Sequence, residues 1–141
     1  MRIRVAVLAD YASLSTGDKL NVLGIFSNLM AREEPIVHPQ MSLVVQFEFN
    51  PAEEGRKDLV TVLQDEDGQT LLNVQGELLV GRAGRGMPTL VNHIVVLNGL
   101  RLPHFGNYVF RVVLNGRTEA EVPLFVTRVA PPTAKQGNGA V

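Results

Sequence analysis

The run Gly81-Arg82-Ala83-Gly84-Arg85-Gly86 sets two arginines on a glycine-rich backbone. Two guanidinium groups held this way can fork onto a phosphate or a carboxylate. The run lacks the Lys-Ser/Thr ending of a phosphate-binding loop, and no helix is expected after it to supply an N-terminus. A plain inter-strand loop accounts for the same residues. Asp65-Glu66-Asp67-Gly68 offers carboxylates of the calcium-binding kind. Its closing bidentate glutamate is missing, because Gly76 stands at that position, so a tight hairpin turn is expected instead. His38, His93 and His104 are scattered and show no metal-ligand spacing.

Nucleophilic chemistry finds no better footing. No serine sits in a Gly-x-Ser-x-Gly frame, and Ser13 and Ser15 read as turn residues. The chain has no cysteine, which removes thiolate nucleophiles, disulfides and cysteine-ligated zinc. With no tryptophan and two tyrosines, an aromatic platform for sugars is not expected. Acid, base and nucleophile do not assemble, so the expectation is a non-enzymatic protein without cofactor or metal.

The elements that must position these residues are strands. At 141 residues, 45% hydrophobic and 19% charged, the chain can bury one core and is not a disordered polymer. Its net charge of −1 favours neither nucleic acid nor a membrane surface as partner. The apolar run Val5–Ala9 is too short for a signal-peptide core, and a cytoplasmic location is expected. Ile3, Val5, Val7, Ala9 and Tyr11 alternate with polar residues, the period of a half-buried strand. Ser13–Asp18 reads as a turn and Lys19–Met30 as one long strand with a bulge at Gly24. Arg32–Gln40, with Pro35 and Pro39, reads as loop. Met41, Leu43, Val45, Phe47 and Phe49 mark the inner face of the third strand.

Loops are then expected at Pro51–Lys57, Asp65–Gly68, Gly81–Pro88 and Asn98–Gly106, separating strands at Leu59–Gln64, Leu72–Val80 and Thr89–Leu97. The last of these is apolar on both faces, which predicts a central strand covered on both sides. Tyr108, Phe110, Val112 and Leu114 face inward on the next strand. Asn115-Gly116 is a hairpin turn, and Arg117–Val129 is the final strand, with Ala120, Val122, Leu124 and Val126 inward. Pro123 marks an edge or a bulge in it. The spacing predicts a single all-β domain over 1–130, an antiparallel sandwich of about eight strands, immunoglobulin-like or a related Greek key, with a disordered tail over 131–141. Leu102-Pro103, Gly106 and Tyr108 match the approach to a tyrosine corner, and equally an ordinary core tyrosine.

Ala9-Asp10-Tyr11-Ala12, followed by Gly17-Asp18-Lys19-Leu20-Asn21-Val22-Leu23-Gly24-Ile25-Phe26, resembles the opening of a prokaryotic family described only as a domain of unknown function. The Gly-Tyr strand and the last hairpin are similar too, so the resemblance covers most of the chain. In that family the glycine and the lysine are usually adjacent; here Asp18 separates them. The family has no assigned activity, so the resemblance implies no catalytic residue.

Strands that each cross the domain once would alternate their loops between two poles. One pole would gather Arg56, Lys57, Arg82 and Arg85, with Lys19 and Arg117 at its rim, partly offset by Asp18, Glu53 and Glu54. The other would gather Glu33, Glu34, Asp65, Glu66 and Asp67, with His38 and His104 nearby. Lys19, Arg56, Lys57, Arg82 and Arg85 are therefore the candidate contacts for an anion or a partner surface. Two functions remain open: a protein-binding or assembly module, possible as a homo-oligomer through a sheet face or edge, and a small-ligand or anion binder using loops at one pole. Asp10 is expected to pair across the first hairpin with Lys19 or Asn21, a contact that coordinates test directly.

Overall fold

The computed structural model describes residues 1–130; the expected tail lies outside the described residues. The described residues are nearly all-β and form two sheets. Its elements are β1 (Arg2–Ser15), β2 (Lys19–Phe26), β3 (Asn28–Ala31), β4 (Ile36–Phe49), β5 (Gly55–Gln64), β6 (Thr70–Val80), β7 (Thr89–Leu102), β8 (Gly106–Leu114) and β9 (Arg117–Arg128), with one 3-10 turn at Pro51–Glu53. The first sheet has the order β2-β1-β4-β7, and the second β3-β9-β8-β5-β6. One core lies between them, filled by β4 from one side and by β5, β8 and β9 from the other. Every inward residue expected on β4 and β8 is buried, including Phe47, Phe49 and Phe110. The Asn115-Gly116 turn has positive φ at both residues (49° and 79°), the requirement of a type I′ hairpin.

Several expectations are corrected. Lys19–Met30 is not one strand: it breaks at Ser27, where the chain leaves β2 at the edge of one sheet and enters β3 at the edge of the other. Nine strands result among the described residues, and β3 runs parallel to β9, so the sheets are not wholly antiparallel as expected. Arg32–Gln40 is not all loop, because β4 begins at Ile36. Pro39 is tolerated there because this stretch of β4 has β7 beside it but not β1, which pairs only from Ser42 onward. The connection after β7 is correspondingly short, since β7 runs on to Leu102. Most consequentially, β7 is not central. It is the last strand of its sheet.

Asp10 pairs with neither Lys19 nor Asn21, which stand opposite Ser15 and Ser13. It falls opposite Gly24, and its carboxylate fills the space a Cβ would need there. Gly24 has φ +71°, so a side chain would be strained as well as obstructed.

The β1–β2 hairpin also departs from a simple crossing. β1 pairs with β4 only through Ala9, and beyond that only with β2. Yet the Asp18 carbonyl at its tip accepts a 3.2 Å bond from Asn92 Nδ2, and Asn92 lies level with Gln46 and, beyond it, Val5. A straight strand would carry the tip about 30 Å past that level. The hairpin must therefore fold back over the outer face of its own sheet. That accounts for Val44 and Ser42, which point away from the main core yet are 0% and 1% exposed. Ala9, Ala12 and Val44 are buried outside the main core cluster.

Truncating Phe110 to Ala should cost about 3–5 kcal/mol of stability. Chemical denaturation should show the midpoint falling with an unchanged slope.

Candidate functional site

The two poles form as expected for the loops between the sheets, and the Ala12–Asp18 tip, which reaches Asn92 by folding back over the outer face, lies toward the basic one. Glu54 reaches Arg82 (3.6 Å), joining the 50–54 and 81–88 loops, and Asp58 N–H donates to Asn115 Oδ1 (2.8 Å), which brings the last hairpin to the same end. Glu34 and Glu66 meet the 103–107 segment at the opposite end.

At the basic pole the candidate residues separate. Arg82 is paired with Glu54, and Arg56 with Glu77 (3.2 Å). Lys57 lies opposite buried Leu78, at the rim of the core. Arg85 shares a shallow cleft with Pro51, Glu54 and Arg82. Lys19, next to the folded-back hairpin tip, lies on the outer face, level with the end of β7 that joins the 81–88 loop. Glu53 accepts from the Asn50 N–H (3.0 Å) and pairs with the N-terminal ammonium (2.9 Å). Those two contacts, the backbone bond first, hold its carboxyl below the usual range. Arg56 and Arg82 are thus held in exposed, weak pairs, while among the described residues no ion pair engages Lys57 or Arg85.

The acidic pole is used for construction. Phe105 N–H donates to Glu34 Oε2 (2.7 Å), and Asn107 N–H to Glu66 Oε1 (2.6 Å). Asp65 Oδ1 accepts from the Asp67 and Gln69 amides, both at 2.9 Å, which closes its turn. Tyr108 O–H donates to the His104 carbonyl (2.7 Å), and its oxygen accepts the His104 N–H (3.1 Å). This is the tyrosine-corner geometry rather than an ordinary core tyrosine. Burial raises the Tyr108 pKa, and the bond to the His104 backbone partly opposes it. The sequence reading missed Glu34 and Glu66 as caps, because nothing local links them to residues about 40–70 positions away.

The feature without an internal use is the free edge of β7. Its ladder with β4 runs without a register shift from Ile36 opposite Leu102 to Phe49 opposite Thr89. From Thr89 to Leu100 it carries no Lys, Arg, Asp or Glu. Its inner face (Val91, His93, Val95, Leu97) meets the core side, and its outer face presents Leu90, Asn92, Ile94, Val96 and Asn98. Leu90 and Val96 are 44% and 50% exposed. Asn92 is fixed by Gln46, whose Nε2 donates to its Oδ1 (2.8 Å).

The other edges carry obstacles. Between Lys19 and Phe26, β2 is bent at Gly24. β3 has four residues. β6 has Glu77 in its run. The first half of β9 lacks a neighbour on the β3 side, and there Pro123 removes an amide. Phe125 N–H points to that side, donating to Ser27 O (2.7 Å), so the absent Pro123 N–H, two residues earlier, is one that would have faced the open edge. A second exposed apolar group, Tyr11, Leu23 and Ile25, lies on one face of the β1–β2 hairpin.

Comparison with known proteins gives a family but no activity. A family model described as a family of unknown function (DUF6941) matches residues 4–127. No curated protein matches the chain. Among solved structures, the chain is similar to the Pseudomonas fluorescens alkylpurine DNA glycosylase AlkC bound to DNA containing an abasic site analog. The identity is 10% and the TM-score 0.45, over 89% of this chain and 30% of that one.

Two outcomes follow from the buried polar groups. Tyr108→Phe should cost about 0.5–1.5 kcal/mol in denaturant titration, the loss of one modest net hydrogen bond. His93 is held neutral by burial, which depresses its pKa below the ordinary 6.5. The unfolded chain then binds more protons than the folded one as pH falls, so stability is full above that value and declines below it. Thermal unfolding of His93→Gln across the same range should lose that part of the acid dependence.

Proposed function

Starting from membership of this chain in DUF6941, a family of unknown function, we propose that it is a non-enzymatic protein-binding and assembly module that works by strand addition at β7. The observation that carries the reading is the edge of β7, uncharged from Thr89 to Leu100 and regular as far as Asn98, where left-handed Gly99 follows. Such an edge exposes a row of backbone donors and acceptors, and natural proteins normally blunt it. Among the described residues the other edges are blunted within their length, whereas β7 is regular and uncharged from Thr89 to Asn98. An extended partner segment would gain affinity from main-chain bonds and specificity from alternate side chains. In this reading the domain is a cytoplasmic immunoglobulin-like sandwich; the tyrosine corner and the alternating poles support that architecture. Among the described residues no helix is long and apolar enough to cross a membrane.

Three observations support a non-enzymatic role. The groups with displaced pKa values, Glu53, His93 and Tyr108, lie at one pole, on the inner face of β7 and at the other pole. Each has a structural cause for its displacement. The arginine loop, the alternative anion site, has Arg82 already engaged by Glu54.

A photo-reactive residue placed at Val96 should form protein adducts in living cells, whereas the same residue at Val74, on edge strand β6, should not. Equal adducts at both positions, or none at Val96, would overturn strand addition at β7.

A further inference from the structure

The outer face of β7 reads Asn92, Ile94, Val96, Asn98 at alternate positions. The order is the same in either direction, an amide at each end and two branched aliphatics between. Antiparallel pairing of one strand with a copy of itself sets residue i opposite residue j and residue j opposite residue i. If the two-fold axis passes through Val95, Asn92 faces Asn98 of the partner subunit and Ile94 faces Val96 of the partner subunit. Like meets like along the whole face.

The adjacent strand carries amides at the same two levels. On β4, Gln46 stands beside Asn92, Val44 beside Ile94, Ser42 beside Val96 and Gln40 beside Asn98. The pairing would extend the Gln46–Asn92 amide bond into a row of four amides across the junction, flanking an apolar stripe. Rows of Asn and Gln side chains in register are mutually satisfying, since each amide both donates and accepts.

Charge gives the second argument. Two-fold pairing places identical residues near one another, so a charged strand repels its own copy. β7 has no charge before Arg101. The third argument is exposure. Leu90 and Val96 on the outer face are 44% and 50% exposed, and a second β7 alongside would give each an apolar cross-strand neighbour.

Resting on the strand-addition reading above, we infer that the strand added to β7 is β7 of a second copy of this chain, joined antiparallel about Val95 into one continuous eight-stranded sheet. The side chains at the junction specify this register, and the exposed Leu90 and Val96 become partly covered in it.

The test uses the full chain, which has no native cysteine to interfere. Sedimentation equilibrium should give twice the 15.4 kDa chain mass. Val96→Lys should halve that mass, with its circular dichroism unchanged because Val96 is half exposed in the single chain. Ile94→Cys/Val96→Cys should oxidise to a covalent dimer, since the two positions face each other across the axis. Val74→Cys on β6 should not. A wild-type mass of one chain up to the highest attainable concentration overturns the inference, as does a cross-link that forms equally well from Val74→Cys. If the chain is monomeric while Val96 still captures another protein in cells, the second-copy inference fails and strand addition survives. If neither occurs, both fail.

Discussion

Backbone N–H and C=O groups on a strand must find partners or stay in water, and this constraint organises the molecule. Sheets satisfy it internally, but each sheet has two outer strands that satisfy only half of theirs. The nine strands leave four edges. Two are made unattractive by brevity or curvature, as in four-residue β3 and in β2 with its left-handed Gly24. β6 carries a charge, and the open half of β9 has a proline set where an amide would face outward. β7 carries no charge before Arg101, its one left-handed glycine, Gly99, stands near its far end, and it is the longest of the edge strands.

The same constraint explains the folded-back hairpin. β4 is buried without interruption from Met41 to Val45, so both of its faces need cover. The second sheet covers one. The β1–β2 hairpin covers the other, tied down by the bond between Asn92 and the Asp18 carbonyl. Gly24 and Asp10 belong to this arrangement, because the carboxylate lies over the glycine midway along the hairpin. A substitution at Gly24 would meet both an occupied space and a left-handed backbone, and would loosen the cover over Val44.

The strand phases were legible because alternation is a local property: Met41 through Phe49 and Tyr108 through Leu114 declare their inner face in five or four residues each. So was the Asn115-Gly116 turn, whose chemistry needs no tertiary context. The break at Ser27 was not legible, because Leu20–Ala31 stays uncharged and largely apolar while the chain changes sheets. Ile36–Gln40 was hidden by Pro35 and Pro39, which read as loop residues unless one knows that β1 is absent beside them. The poles were legible from strand count alone, although the first hairpin reaches its pole by turning back. The edge was half legible. Composition said that β7 belongs in the interior of a sheet, the single chain places it at the margin, and the palindromic outer face became visible only when the β4 register fixed which residues point outward.

The disagreement between composition and position at β7 is the central claim, and amide hydrogen exchange reads it residue by residue. In a lone chain, alternate amides between Leu90 and Leu100 point away from β4 and exchange rapidly, while the intervening ones are protected. Paired with a second copy, both sets are bonded. The account predicts protection at consecutive amides across Val95 at high protein concentration, fading to the alternating pattern on dilution. An alternating pattern that persists at every concentration would contradict it.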